Sequence, residues 1–257
     1  KQALEPDTTA NARPIRLRLA RVYENQRDWK AAAKTYRALL ENESRNPTLR
    51  LHLARASEKR GRTETAIEHY RQVQEALPEN GDAALALSRL LTETEQFDAA
   101  LRVTKRSLST NATWTPLWRR HANVAFKLDS LALAERAYER VLHHGDSSTT
   151  VLQRLGIVRV GQQKHEQALR PLQTAYRRDT TRAVTPFYLA TAYREVDSLK
   201  TALTYYNRAI DRASEGILTD ALTQAATTHD ALKELPEALH AFRTVLRLQP
   251  ERTDIYF

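Results

Sequence analysis

Small and apolar positions return with a fixed period of 34 residues along this 257-residue chain. Ala32, Ala66, Ala100, Ala134, Ala168 and Ala202 keep strict step, and Ala238 follows after a two-residue slip. A second small residue runs twelve positions earlier: Ala20, Ala54, Ser88, Ala122, Gly156, Ala190 and Ala226. Two linked positions matched in seven copies define one supersecondary unit repeated in tandem. With that phase the repeats run 13–46, 47–80, 81–114, 115–148, 149–182, 183–216 and 219–252, with a lead-in at 1–12 and the start of a truncated further copy at 253–257.

Within each copy, small residues occupy positions 8 and 20. Position 7 is usually apolar (Leu19, Leu53, Leu87, Leu155, Leu189), with His121 and Ala225 as departures. Position 24 is mostly aromatic (Tyr36, Tyr70, Tyr138, Tyr206, Phe242), with Thr104 and Leu172 departing. Spacings of three, four and seven predict two amphipathic helices per copy, each about fourteen residues long. The small residues let the pair approach closely, since a bulky side chain there would strain the core. The ring at position 24 supplies most of the buried area between them. Asn46-Pro47 and Thr115-Pro116 read as N-caps followed by a first-turn proline. Asp129-Ser130 and Asp197-Ser198 can cap second helices, and Pro78 and Pro250 stop them. No segment alternates as a strand does.

This pattern resembles the tetratricopeptide repeat (TPR) family over about 240 residues, counted from the repeats above. Single copies depart from the family pattern: Trp118 is the one Trp at the family's position 4, and Leu155-Gly156 the one Leu-Gly pair. The resemblance implies an all-α fold, a right-handed superhelical solenoid of about seven 34-residue helix–turn–helix repeats. It also implies a concave groove lined by the first helix of each pair.

Composition adds three points. Cys and Met are both absent, which excludes disulfides and thiolate chemistry without fixing a compartment. There is no run of 18 apolar residues, so no transmembrane helix is expected. The start at Lys1, the Ile255-Tyr256-Phe257 tail and the helix-like Gln2–Pro6 stretch are read as signs of a fragment of a longer repeat protein, because neither end supplies the polar cap that terminal repeats need. The net charge of +9 is uneven. Repeat 1 has nine cationic residues against four acidic, and repeat 5 seven against two. Arg favours bidentate contact with carboxylate or phosphate, although a GC-rich genome gives the same Arg bias.

In the family, positions 2, 5, 9, 12 and 13 of the first helix face the groove. Position 9 reads Arg21, Arg55 and Arg89 in the first three copies, and position 5 reads Leu17, Leu51 and Leu85. The resemblance therefore implies a leucine strip beside an arginine ladder, continued by Arg119, Asn123 and Phe187. Such a surface suits an extended or helical partner segment with acidic residues and apolar anchors. The alternative is structural, with each Arg paired to a nearby Glu and each Leu packed on a second helix. Arg119 and Asn123 sit where chaperone-binding relatives hold a C-terminal carboxylate, but the next copies offer Gln153 and Ile157, then Val184 and Tyr188, so that clamp is broken.

No catalytic, metal or cofactor motif is found. His143-His144-Gly145-Asp146 reads as a helix end and turn, His165-Glu166 lacks the second His of a zinc helix, and His229-Asp230 has no nucleophile in a defined role. Asn42-Glu43-Ser44 and Asn111-Ala112-Thr113 match glycosylation sequons by chance composition. The slip around Gly216 is expected to lengthen a turn, either as a hinge or as a tolerated insertion. The leading expectation is a non-enzymatic docking scaffold that needs no cofactor. Alternatives are the substrate-recruiting arm of a larger enzyme, such as a glycosyltransferase or kinase, and an RNA-binding repeat protein, the latter weakened by the lack of an aromatic–basic motif. An uncapped terminal repeat allows a homodimer. The cysteine-free composition and the Asp-Ser and Tyr-Tyr pairs resemble bacterial cell-envelope TPR proteins, which favours envelope or periplasm over cytoplasm.

Overall fold

The structure, a computed structural model, describes residues 8–249. The predicted helical ends at Gln2–Pro6 and 253–257, and the stop at Pro250, lie outside the described residues. The described chain is all α-helix and turn, with no strand among the described residues. Unit 1, ending at Leu128, holds α1 (Thr8–Asn25), α2 (Trp29–Asn42), α3 (Pro47–Lys59), α4 (Thr63–Ala76), α5 (Gly81–Glu93), α6 (Phe97–Leu108) and α7 (Thr115–Lys127). Unit 2, beginning at Asp129, holds α8 (Leu131–His143), α9 (Thr149–Gly161), α10 (His165–Arg178), α11 (Val184–Glu195), α12 (Leu199–Ile210), α13 (Glu215–Ala231) and α14 (Leu235–Leu248). In chain order these are seven helix–turn–helix pairs, and in each unit every helix packs on its neighbours in sequence.

Polar caps and proline place several starts. Asn46 Oδ1 accepts from the backbone N–H groups of Thr48 and Leu49 at 3.0 and 3.1 Å, with Pro47 opening α3. Asp28 and Asn80 cap α2 and α5 in the same way, each at 2.9 Å. α7 starts one residue earlier than expected, with Trp114 rather than Thr115 at the cap position, and the side chains of Ser130 and Ser198 make no capping bond. The slip lengthens a helix instead of a turn: Glu215 and Gly216 are absorbed into the seventeen-residue α13. Pro236 falls in the first turn of α14, where its missing N–H costs little.

The turn inside each pair carries a residue in the left-handed region at the same register. These are Arg27, Gly61, Glu95, Asp129, Gln163, Asp197 and Lys233, with φ between 52° and 69°. At six of the seven turns, the following N–H reaches back five residues to a carbonyl, as in Gln96 to Leu91 at 2.7 Å and Asp28 to Tyr23 at 2.9 Å. That bond closes the end of the first helix.

The cores follow the repeat. The small residues at positions 8 and 20 are buried in every copy, and Tyr36, Tyr70, Tyr138 and Tyr206 are fully enclosed. The two departures at position 24 are each matched by a second one. Leu172 replaces the ring beside Gly156, where a methyl group would lie 2.3 Å from Leu172 Cγ. Thr104 replaces it beside His121, and both are buried. Unit 2 also encloses Glu135, which accepts from Arg159 Nε and Gln162 Nε2 at 3.0 Å each and pairs with Lys164. Arg159 bonds Glu139 as well, at 2.8 Å.

Candidate binding groove

Unit 1 contains an open groove of about 740 Å³ on the first-helix side of its repeats. α1 and α3 supply Glu24, Asn25, His52, Arg55, Glu58 and Lys59. α5 supplies Asp82, Leu85, Ala86 and Arg89, and α7 supplies Pro116, Arg119, Arg120 and Asn123. Trp29 and Tyr70 complete the wall. Helical spacing explains the convergence: Arg55 and Glu58 are one turn apart on α3, as Leu85 and Arg89 are on α5 and Arg119 and Asn123 on α7.

Five cationic side chains face three carboxylates in this lining. Each carboxylate already has a partner within unit 1. Glu24 meets His52 Nδ1 at 3.1 Å. Glu58 accepts from the Tyr70 hydroxyl at 2.9 Å and from Arg89 at 2.7 Å. Asp82 lies 3.5 Å from Arg55. Burial, then the Glu58 charge, raises the Tyr70 phenol above its ordinary range, so this hydroxyl remains a donor. His52 stacks on Tyr36 with centroids 5.0 Å apart, which fixes its ring at the groove edge.

The groove brings together Arg55, Leu85, Arg89, Arg119 and Asn123 of the residues singled out in the sequence. Arg55 and Arg89 stand there as members of ion pairs, Arg89 bridging Glu58 on α3 and Glu93 on its own helix at 2.7 Å each. Leu17, Arg21 and Leu51 are not among its lining side chains. Leu17 packs half-buried on the core of the first two repeats and Leu51 on that of the next, while Arg21 is exposed. Phe187 belongs to unit 2, where it packs edge-on to Tyr188 at 5.2 Å and tilts on Tyr206 at 6.1 Å. Gln153 is buried and donates to Thr185 Oγ1 at 2.6 Å.

Glu58 was not singled out in the sequence, although its spacing of twelve from Tyr70 carries the signal. A cluster on unit 2 was also missed: Tyr193 stacks on Tyr205 at 5.5 Å, and the Arg208 guanidinium lies 4.9 Å over the Tyr205 ring. Tyr205 falls one position off the repeat's aromatic register, which hides it. Among the described residues no group of three or more His, Cys, Asp and Glu could hold a metal ion. His143 ends α8, and Gly145, with φ at 90°, makes the turn after it. Among the described residues no helix is long and apolar enough to cross a membrane.

Paired helices stacked on small-residue contacts, with a groove built from successive first helices, define a helical-repeat interaction scaffold. Residues 17–81 match one tetratricopeptide repeat family model and residues 58–124 a second. The chain carries tetratricopeptide repeats over residues 17–124. No curated protein matches it. Among solved structures it is similar to YrrB, described as a TPR protein with an unusual peptide-binding site, at 18% identity over 74% of this chain and 97% of that one, with a TM-score of 0.65. The C-terminal part of a TPR repeat-containing protein from Cytophaga hutchinsonii aligns at 14% identity over 93% of this chain and 97% of its own, with a TM-score of 0.68. PilF of Pseudomonas aeruginosa aligns at 16% identity over 84% and 96%, with a TM-score of 0.61.

Proposed function

We infer that the groove of unit 1 seats an extended or helical protein segment that carries acidic residues beside apolar anchors. One observation carries this reading: the groove's carboxylates are engaged internally, while its cationic side chains outnumber them five to three around the apolar Leu85, Ala86 and Pro116. An acidic side chain entering there meets guanidinium groups with bidentate geometry. An apolar anchor beside it covers the Leu85–Ala86 surface of α5. The peptide-binding site named for the structurally similar YrrB supports a groove of this kind. Within this reading Arg55, Leu85, Arg89, Arg119 and Asn123 form the contact set. Leu17, Arg21 and Leu51 extend the same face, and Phe187 serves the corresponding face of unit 2. The sequence resemblance to bacterial cell-envelope TPR proteins supports a cell-envelope setting.

The test is selection from a random twelve-residue peptide display library, with counter-selection on an Arg55→Glu/Arg119→Glu variant of equal helicity. Enrichment of Asp and Glu interleaved with Leu or Phe, lost on the variant, is the expected result. Enrichment of basic peptides, or recovery equal on both proteins, overturns the reading.

A further inference from the structure

Six register positions hold large side chains at one junction of unit 2 and small ones at the next. Between the fifth and sixth repeats the second-helix side is packed with rings. Tyr193 of α11 stacks on Tyr205 of α12 with planes 9° apart, and Tyr176 of α10 meets Tyr205 edge-on at 5.6 Å. Gln173 donates to the Tyr193 hydroxyl at 2.6 Å, and Leu189 shares the same core. The Arg208 guanidinium covers the Tyr205 and Tyr176 rings from 4.9 and 5.7 Å.

One repeat on, a smaller side chain stands at each of these positions. Asn207 replaces Gln173, Ile210 replaces Tyr176 and Ala225 replaces Leu189. His229 replaces Tyr193, Ala241 replaces Tyr205 and Thr244 replaces Arg208. All six line a hollow of about 480 Å³ between α12, α13 and α14, on the side of α14 turned to the sixth repeat. The lining of such a hollow forfeits dispersion contacts. A ring entering it recovers what Tyr205 supplies one repeat earlier.

The groups that remain select the guest. His229 Nδ1 meets Glu234 Oε2 at 2.7 Å, which holds the imidazole in the place of Tyr193 as a stacking platform. Ile210, Leu222 and Ala225 supply an apolar floor, while Asn207, His240 and Thr244 offer a polar edge. Tyrosine suits such a site, with an apolar body and a hydroxyl to place. The charge is equally selective. The chain carries +9, yet among the described residues this lining holds no Lys or Arg, and Glu237 stands exposed within it.

We propose that the hollow between α12, α13 and α14 is a docking site for a partner protein segment, taking a tyrosine side chain with a Lys or Arg beside it. The incoming ring occupies the place that Tyr205 fills one repeat earlier, stacked on His229, and the cation lies against Glu237. This site is separate from the groove of unit 1 and selects the opposite charge.

Amide NMR titration of the 257-residue chain tests the proposal. The probe is an acetylated and amidated peptide bearing tyrosine and, three places on, arginine, added up to about 5 mM so that millimolar affinities are read. Saturable shifts centred on α12, α13 and α14 are expected. Alanine in place of the peptide's tyrosine weakens binding by at least about tenfold, and glutamate in place of its arginine by at least about threefold. Ala241→Tyr fills the hollow with the chain's own ring, so it weakens binding by at least about tenfold while raising thermal stability. Ala225→Leu fills it from α13 and replaces that variant if Ala241→Tyr loses helicity. The absence of saturable shifts, equal affinity for the tyrosine and alanine peptides, or undiminished binding by a folded filled variant overturns the proposal. So does p-cresol binding as tightly as the peptide, the mark of a site for free phenols.

Discussion

Thr104 Oγ1 lies 2.8 Å from His121 Nδ1 in the core between the third and fourth repeats, where the first two junctions place a tyrosine against leucine. The Thr104 hydroxyl has one proton and lies 3.1 and 3.0 Å from the carbonyls of Ala100 and Leu101. Donating there leaves Oγ1 to accept from Nδ1–H of a neutral imidazole. Two departures from the repeat pattern are thus one polar contact inside an apolar layer, satisfied on both sides.

That contact makes stability depend on acid. Burial, aided by the charge of Lys105, lowers His121 to about 4 from an ordinary 6.5. The unfolded chain therefore takes up a proton at His121 between pH 6.5 and 4 that the folded chain refuses. The stabilisation is present above the unfolded value and falls as pH drops through this window, by about 3 kcal/mol in all. Urea unfolding at pH 7 and pH 4.5 should show the wild type losing ~2 kcal/mol more than His121→Leu. Equal losses would mean that the imidazole charges in place.

Gly156 should resist the smallest enlargement. Alanine is the better helix former by about 1 kcal/mol, but its methyl would meet Leu172 Cγ at 2.3 Å. Gly156→Ala is expected to destabilise by about 1–3 kcal/mol through overpacking. Combining it with Leu172→Ala should cost less than the two single losses added, as a double-mutant cycle in urea would show.

The left-handed turn positions give a stabilising change. Glu95 has φ at 59°, a conformation that strains a side chain and suits glycine. Glu95→Gly should stabilise by about 0.5–1 kcal/mol. Gly61→Ala, at φ 69° in the equivalent turn, should destabilise by ~1 kcal/mol. Thermal melts of the two variants should move in opposite directions.

Glu135 on α8 is the anion that ties α9 and the turn before α10 to its own helix. Burial opposes its charge, but Lys164, Arg159 and Gln162 together hold its carboxyl below the usual range. Glu135→Gln leaves Arg159 and Lys164 facing a neutral amide and should cost roughly 2 kcal/mol or more at pH 7. With the folded value depressed, the contribution is full above the unfolded value and disappears as pH falls through the folded one. The gap between wild type and Glu135→Gln should therefore narrow in acid, which denaturant titrations at pH 7 and pH 3 would detect.

Helix pairing and core positions were legible because each small or aromatic position recurs in register, and recurrence survives single departures such as Thr104 and Leu172. The turns were not legible. Six of the seven left-handed positions hold Arg, Glu, Asp, Gln or Lys instead of the glycine that marks such a site, since the helix-closing bond comes from the backbone. The groove was half legible. Register placed Arg55, Leu85, Arg89, Arg119 and Asn123 on one face, but partner choice depends on neighbours thirty residues away. The sequence therefore did not tell an arginine ladder from Arg89 clasped between Glu58 and Glu93. Leu17 and Leu51 share Leu85's register, yet they lie outside the groove.

The Thr104–His121 contact also makes two neighbouring copies non-interchangeable. Most copies offer the next one a tyrosine or aliphatic surface and receive it on a leucine, so in a shuffled array they would find equivalent neighbours. His121 would find a phenol or a hydrocarbon in place of the threonine oxygen, and Thr104 would leave a tyrosine-sized void against leucine. The third and fourth repeats form a keyed joint that sets their order along the chain.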